Sequence, residues 1–552
     1  EQIPSFNQYI EDSVIKFWDK DAFTDYKGAT LQFHDVARKI EKLHIMFENS
    51  GVKRGDKIAL CGRNSSHWAV AFLATLTYGA IAVPVQNEFT PEQIHNIVNH
   101  SESKLLFVGD VVCTQVNPDM MPALEGIVYL PDFSIVISRS EQLTFAREHL
   151  NEIFGKRYPK YFRKEHIHYY KEQSPEELAM INYTSGTTGF SKGVMLPYRA
   201  LWGNIDYVLK CLAPNVKPGS NLVSILPMAH MYGLAVEFLF GFINGCHLYF
   251  LNRMPSPSLI AEAFAEVKPR LIVAVPLVIE KIIRRKVLAE VQTNRMKLLL
   301  NMPVINKKIK QHIRDRIMEA FGGNAFEIIV GGAPLNQGIE EFLNSVGVPV
   351  TIGYGTTETA PLITFANYDK YKIASCGPVV DHMEAKVVSP DPANVPGELI
   401  ARGMNVMLGY YKNEEATNAV LDKDGWFHTG DLATMAPSGH IYIKGRIKNM
   451  LLGANGQNVY PEEIEDKLNN MPLVGESIII QRDTKLIALV HPEIEDKEAM
   501  DFDDDDVKGI MDENLKTLNN QLPPFCKIAA IEIQKEEFQK TAKKSIKRYL
   551  YK

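Results

Sequence analysis

The chain reads as an α/β protein built on parallel sheets, and three observations carry that reading. Short apolar runs alternate with helix-period stretches from residue 57 to residue 108, which is the pattern of strands joined by crossover helices. Two longer apolar runs, 68–85 and 233–250, are interrupted by polar residues and glycine. Apolar residues make up 45% of 552 positions, enough to bury large cores.

Taken in order, Val36, Ile40, Leu43 and Phe47 recur at helical spacing and predict an amphipathic helix over 33–47. Gly51 to Asp56 reads as a turn; strands are predicted over 57–61, 80–85 and 105–108, with a helix over 65–78. Thr90-Pro91-Glu92 opens a helix over 90–100, with proline in the first turn. The run 68–85 contains Thr75, Thr77, Tyr78 and Gly79, and the run 233–250 contains Glu237, Asn244 and His247. A membrane span wants about 20 apolar residues without such breaks, so each run is predicted to be a buried helix turning into a buried strand. Residues 120–173 are less regular; the basic and aromatic stretch 156–171 reads as a solvated face, with a membrane-facing patch as the alternative. Further on, strands are predicted over 178–181, 221–226, 270–275, 326–330, 348–352, 477–481, 485–491 and 528–533. Helices are predicted over 197–210, 276–287 and 507–518, with the acidic run 501–506 as a solvated loop or a helix start.

The net charge of −6 gives no electrostatic footprint for nucleic acid. Six cysteines stand far apart with no CxxC pair, which favours reduced thiols in a cytoplasmic protein over a zinc site or disulfides. The first twenty residues are polar and amphipathic, unlike a signal peptide.

The most informative stretch is Tyr183-Thr184-Ser185-Gly186-Thr187-Thr188-Gly189-Phe190-Ser191-Lys192-Gly193. Its glycines allow tight turning, its hydroxyls donate hydrogen bonds, and Lys192 supplies a point charge, a composition suited to polyphosphate. It does not fit the Walker pattern: five residues after Gly186, Ser191 stands where a glycine is required, and Gly193 follows the lysine. The stretch resembles the phosphate loop of the adenylate-forming superfamily, which includes acyl-CoA synthetases, luciferases and nonribosomal adenylation domains.

Later segments extend the resemblance in order. Pro227 to Gly233 resembles the family's His/aromatic motif, which implies that His230, Met231 and Tyr232 stand at an acyl pocket. The residues after it lack the aspartate that the nonribosomal branch uses for an ammonium group, so an uncharged acyl chain is expected. Gly331-Gly332-Ala333-Pro334-Leu335 resembles the adenine-flanking loop. In Gly353-Tyr354-Gly355-Thr356-Thr357-Glu358, the glycines permit close approach of a nucleotide and Glu358 suits a hard cation. The resemblance implies that Tyr354 meets adenine, Thr357 the α-phosphate, and Glu358 with Thr184 a Mg²⁺ ion. Gly397-Glu398-Leu399 is similar to a family β turn. In the segment 425–432, Asp431 can accept two hydrogen bonds from ribose, with Arg446 following fifteen residues later and Lys448 implied as a hinge.

One segment departs from the family pattern. Aligned on Thr541 and Ile546, Ser545 falls where the family carries its C-terminal catalytic lysine. Lys544, one place earlier, is the first candidate to stand in, with Lys543 and Lys547 behind it.

The resemblance therefore implies a large N-terminal domain over 1–445, with parallel α/β layers and a β-barrel-like part, a hinge over 446–450, and a small mobile α+β domain over 451–552. It implies a fatty-acid–CoA ligase of the long-chain group using ATP, Mg²⁺ and CoA. A monomer or homodimer is expected, with peripheral contact at the inner membrane face and no nucleic-acid partner. The rivals are an acyl-AMP ligase that loads a carrier protein, an adenylating enzyme for amino or aryl acids, and a non-catalytic nucleotide-binding relative.

Overall fold

The computed structural model describes residues 3–184, 191–283, 303–452, 457–483, 485–493, 502–541 and 545–551, with the side chains of 303–306 left aside. Two large sheets dominate. In the first, eight strands run in the order Gly409–Tyr410, Lys192–Pro197, Leu178–Thr184, Ile81–Val85, Lys57–Cys61, Leu105–Val108, Gly126–Tyr129, Ile135–Ser138. Its centre is parallel, and antiparallel strands close both edges. The central strands are buried on both faces, which explains why Ile81–Val85 reads as a continuous apolar run rather than an alternation. The second sheet has seven strands and is parallel from Val350–Ile352 through Asp21–Asp25, with antiparallel Thr30–Gln32 at the far edge.

Both interrupted apolar runs turn from helix into strand. Ser66–Tyr78 starts where Ser65 Oγ accepts from Trp68 N at 3.1 Å, and it stops at Gly79, whose φ of 87° suits only glycine without strain. Ile81–Val85 follows directly. The second run opens as a π-helical segment, Gly233–Leu239, continues as Phe240–Ile243, and turns at Gly245 into His247–Phe250. Between the sheets lies an aromatic core. Phe23 and Phe33 stand 5.4 and 4.9 Å from Phe242, and Phe72 meets Phe238 edge-on at 6.1 Å. Each of these rings is fully buried and contributes about 2–3 kcal/mol through the area it removes from water.

Helix Phe33–Asn49 buries the predicted Val36, Ile40, Leu43 and Phe47. Four antiparallel strands, Met383–Val388, Gly397–Gly403, Phe427–Met435 and Ile441–Arg446, form a separate sheet over a core of Val387, Leu399, Ala433 and Ile441. The segment expected as a turn at Gly397 is thus a strand. Beyond it, strands Val474–Arg482, Lys485–Pro492 and Ile528–Ile533 pack on helices Pro461–Asn469 and Asp504–Gln521 around their own core. Of the acidic run, Asp503 caps Asp504–Gln521 and the next three aspartates lie in its positive first turn, while Asp501 lies outside the described residues.

The basic stretch 156–171 is pinned to the body of the protein. Arg157 pairs with Glu41 and Glu48 at 3.3 and 2.8 Å, Tyr158 donates to Glu41, and Lys171 pairs with Glu11. Among the described residues, no helix is long and apolar enough to cross a membrane.

The last part of the chain is held by a partly buried ion pair. Arg548 Nη2 meets Glu465 Oε2, and Glu465 Oε1 accepts from Ile479 N at 2.6 Å. Burial pushes the Glu465 carboxyl up to about 7 in spite of Arg548. Arg548→Ala leaves that carboxylate without its cation, so a loss of about 3 kcal/mol is expected. Hydrogen exchange confined to residues 457–551 would show it, and Glu465→Gln added to Arg548→Ala should recover part of the loss.

Candidate active site

Thr184, Gly331 and Gly353 each stand at or just after the C-terminal end of a strand that pairs in parallel in one of the two large sheets. That is where open α/β sheets place ligands. Thr184 ends Leu178–Thr184 and pairs with Lys192, which opens the next, antiparallel strand. Ser185, Gly186, Thr187, Thr188 and Gly189 lie outside the described residues. Gly331 follows Glu327–Val330 and hydrogen-bonds to Ala274 O at 3.2 Å, and Gly332 takes φ +84°. A Cβ on Gly332 would make only an ordinary contact, 3.8 Å from Val275 Cγ1, and Gly332, Ala333 and Pro334 are all exposed. Gly353 follows Val350–Ile352 in the same way.

The loop from Tyr354 to Thr364 is held from both sides. Tyr354–Gly355 pairs with Leu362–Thr364, and a Cβ on Gly355 would stand 1.7 Å from Pro361 O, so only glycine permits this turn. Asn204 Nδ2 donates to Thr359 O at 3.2 Å, while its Oδ1 accepts from Leu362 N at 2.9 Å. Thr356 and Thr359 cap a short turn in which Thr357 is buried and Glu358 half-buried. Tyr410 Oη donates to Glu358 Oε1 at 2.8 Å, and the Lys192 ammonium lies 5.0 Å from the centre of the Tyr410 ring. Lys192 and Glu358, far apart in sequence, therefore share one contact residue.

Asp431 lies on Phe427–Met435 directly opposite Arg446, whose Nε is 3.4 Å from Asp431 Oδ1. Tyr354 Oη donates to Asp431 Oδ2, so the aromatic residue expected at adenine also braces the carboxylate expected at ribose. Burial raises the Asp431 carboxyl above its ordinary value, against the pull of Arg446 and Tyr354. The carboxylate still has acceptor capacity for further hydroxyl donors. Lys448 lies close by: its ammonium is held below the usual range by desolvation first and by Arg446 second, with Asp431 opposing.

A second carboxylate orders this turn. Glu398 accepts from His428 Nδ1 at 2.9 Å and from Gly430 N at 3.2 Å, and Asp422 stands 3.6 Å from His428 Nε2. Thr429 Oγ1 donates to Leu399 O at 2.6 Å and accepts from Asp431 N at 3.1 Å.

His230, Met231 and Tyr232 divide. His230 is half-buried, whereas Met231 and Tyr232 belong to the core. Tyr232 Oη donates to Ile329 O at 3.1 Å, and its ring lies under Gly331, where a Cβ would be 3.0 Å from it. Tyr232 thus supports the adenine-flanking turn from below. The acid that follows, Glu237, is fully buried and accepts from Ile225 N and Leu226 N at 2.8 and 3.2 Å. At the C-terminus, Lys540 bridges to Ile546, Thr541 N donates to Ser545 O at 2.8 Å, and Lys540 pairs with Glu476 at 2.8 Å. Lys543 and Lys544 lie outside the described residues.

The family described as AMP-binding enzyme matches residues 10–411, and its C-terminal domain matches residues 448–551. The chain belongs to this adenylate-forming family. A long-chain-fatty-acid–CoA ligase of Escherichia coli O157:H7 is 31% identical over 498 residues, covering 85% of this chain and 81% of that protein. The human long-chain-fatty-acid–CoA ligase ACSBG2 is 23% identical over 515 residues, covering 88% and 75%. Among solved structures, ATP-bound MatB from Rhodopseudomonas palustris has a TM-score of 0.76 at 22% identity, covering 99% of this chain and 98% of that one. The anthranilate CoA ligase AuaEII in complex with anthranoyl-AMP has a TM-score of 0.78 at 18% identity, covering 100% and 97%. These structural likenesses show the shared α/β architecture with its small C-terminal unit.

Sequence reasoning singled out Asp431 but missed Tyr410, Asn204 and the clamp on the Asp431 turn. His428 and Glu398 stood inside quoted motifs, yet only the strand pairing of Gly397–Gly403 with Phe427–Met435 brings them together. The clamp has a pH signature. Glu398 first, then Asp422, raises the His428 imidazolium above its ordinary value. The clamp's stabilising contribution is therefore complete below about pH 6.5 and is lost as pH rises through the raised value. His428→Gln should lower the melting temperature by about 2 °C or less at pH 6, and the gap should close by pH 8–9. Paired thermal melts across that range would measure it.

Proposed function

We propose that this chain is an AMP-forming acyl-CoA ligase that activates a fatty acid, of long chain length, with ATP. The observation that carries the proposal is a pair of contacts: Tyr410 touches both Lys192 and Glu358, and Tyr354, four residues before Glu358, donates to Asp431. The name of the Escherichia coli relative supports the fatty-acid substrate. So does the segment after His230: its side chains are apolar and buried, and Glu237, its one acid, is engaged by backbone N–H groups. An acid carrying an ammonium group would lack a carboxylate partner there.

In the first half-reaction, a carboxylate oxygen of the acid attacks the α-phosphorus of ATP. The bond to the bridging oxygen breaks, and pyrophosphate leaves with that electron pair. The nucleophile is already an anion, so no general base is required, and catalysis rests on positioning and charge neutralisation. Lys192 and the 185–190 loop would hold the phosphates, Gly332 to Pro334 and Tyr354 would flank adenine, Asp431 and Arg446 would orient ribose, and Thr357 would meet the α-phosphate. In the second half-reaction, the CoA thiolate attacks the acyl carbon and AMP leaves.

A single carboxylate beside a hydroxyl is the donor set expected of Mg²⁺, which takes one or two protein carboxylates and completes its shell with substrate phosphates and water. Glu358 and Thr184 supply that set. The ion would neutralise phosphate charge. Residues 446–450 are proposed as a hinge at Lys448, about which residues 451–552 rotate between the half-reactions. Lys544, and behind it Lys543 and Lys547, would stand in for the family lysine replaced by Ser545.

Mass spectrometry of products from palmitate, ATP and Mg²⁺, with and without CoA, tests the proposal. Palmitoyl-CoA should form only with CoA. Palmitoyl-AMP persisting in its presence would instead identify a carrier-loading ligase. Glu358→Ala should reduce pyrophosphate release at least 100-fold, about 2.7 kcal/mol of transition-state stabilisation. Lys448→Pro should leave acyl-AMP formation within a few-fold of wild type and block thioester formation. Equal loss of both half-reactions would remove the hinge assignment.

A further inference from the structure

Tyr410 stands between two groups of opposite charge that both serve the proposed nucleotide site. Its position is tightly determined. The two-residue strand Gly409–Tyr410 pairs with Lys192–Pro197, matching Gly409 to Met195 and Tyr410 to Val194. Leu408 N donates to Met195 O and Tyr411 N to Gly193 O, at 2.9 and 2.7 Å, so the pairing continues on either side. Tyr410 N donates to Thr417 Oγ1 at 2.8 Å, and a Cβ on Gly409 would meet Thr417 at that same separation, 2.8 Å. Met407 N donates to Glu358 O at 2.8 Å, which ties the acid's own backbone to the same segment. The Tyr410 side chain is 6% exposed, so ring and hydroxyl are held in place by packing.

We propose that Tyr410 is a positioning residue that keeps Lys192 and Glu358 apart and aimed. This deepens the proposed function and rests on it. The hydroxyl fixes one oxygen of Glu358, and the ring face carries the Lys192 ammonium. Among the described residues, no ion pair joins Lys192 to Glu358. Lys192 is exposed and its stem is flexible, so without the ring its ammonium would be drawn to the nearest carboxylate. At about 4 Å near a protein surface, that attraction is several kcal/mol before desolvation and side-chain entropy oppose it. Such a pair would remove a phosphate contact and a metal ligand together. A weaker cation–π contact leaves Lys192 free to move to a phosphate when one arrives.

The two parts of the role separate experimentally. Tyr410→Phe keeps the ring and loses the hydrogen bond; Tyr410→Leu loses both. ATP binding is measured by equilibrium dialysis on the full chain, once with Mg²⁺ and once with EDTA, alongside thermal melts. Tyr410→Phe should weaken ATP binding about tenfold with Mg²⁺ and leave binding in EDTA unchanged. Tyr410→Leu should weaken both, and adding Glu358→Gln should restore the EDTA affinity by freeing Lys192. Equal weakening by Tyr410→Phe in both conditions would indicate a purely structural role and overturn the proposal, as would wild-type affinity in both. Failure of Glu358→Gln to restore binding to Tyr410→Leu at an unchanged melting temperature would overturn the spacer role. Wild-type protein that binds no ATP in either condition would overturn the functional reading itself, and this inference with it.

Discussion

The antiparallel pairing of Lys192–Pro197 with Leu178–Thr184 is the constraint on which the site depends. A parallel sheet needs long crossovers, and its strands point the same way. Here Thr184 ends a strand of the parallel sheet and Lys192 opens its antiparallel neighbour, so these two residues face each other at the sheet's C-terminal edge. The returning strand then offers its outer edge to Gly409–Tyr410. That second pairing brings Tyr410, more than two hundred positions away, to where it touches both Lys192 and Glu358. One sheet edge thus supplies the cation and the spacer, and it protects itself from further strand addition by being covered.

A second theme is the management of buried acid. Asp431, Glu237 and Glu398 each answer a local demand for an acceptor, but with different consequences. Glu237 is saturated by two backbone N–H groups and braces the end of Asn221–Ser224. Glu398 is divided between His428 and Gly430 N and shapes the turn before Asp431. Asp431 also has a partner on each oxygen, but these are side chains, a phenol and a solvent-exposed arginine, and its carboxyl remains raised by burial. What sets it apart from the two braces is thus the kind of partner: neither of these contacts is a backbone N–H, and its arginine lies at the surface.

The sequence made the α/β layers legible because doubly buried strands and their helices carry strong apolar signals; 57–61 and 105–108 match the observed strands residue for residue. Strands such as Thr30–Gln32 and Gly409–Tyr410 are too short to show a period, and their pairing is decided by distant partners. Lys192–Pro197 was hidden because lysine, glycine and proline at its ends read as loop punctuation. The π-helical register of Gly233–Leu239 was likewise beyond reach, since its residues are apolar on every side and give no face to phase. Site chemistry was legible where the motif residue itself carries the proposed chemistry. It was not legible for Tyr410 or Asn204, whose roles exist only through partners remote in sequence.

The C-terminal segment shows the same distinction between scaffold and chemistry. Lys540 to Glu476, Arg548 to Glu465 and the edge-on contact of Phe538 with Tyr551 fix both arms of the terminal hairpin on the small domain's sheet. Lys540 is therefore a structural cation. The Lys540–Ile546 bridge and the hydrogen bond from Thr541 N to Ser545 O set the register in which Ser545 stands. The partly buried Arg548–Glu465 pair, marginal as a source of net stability, fits a role as the device that holds that register.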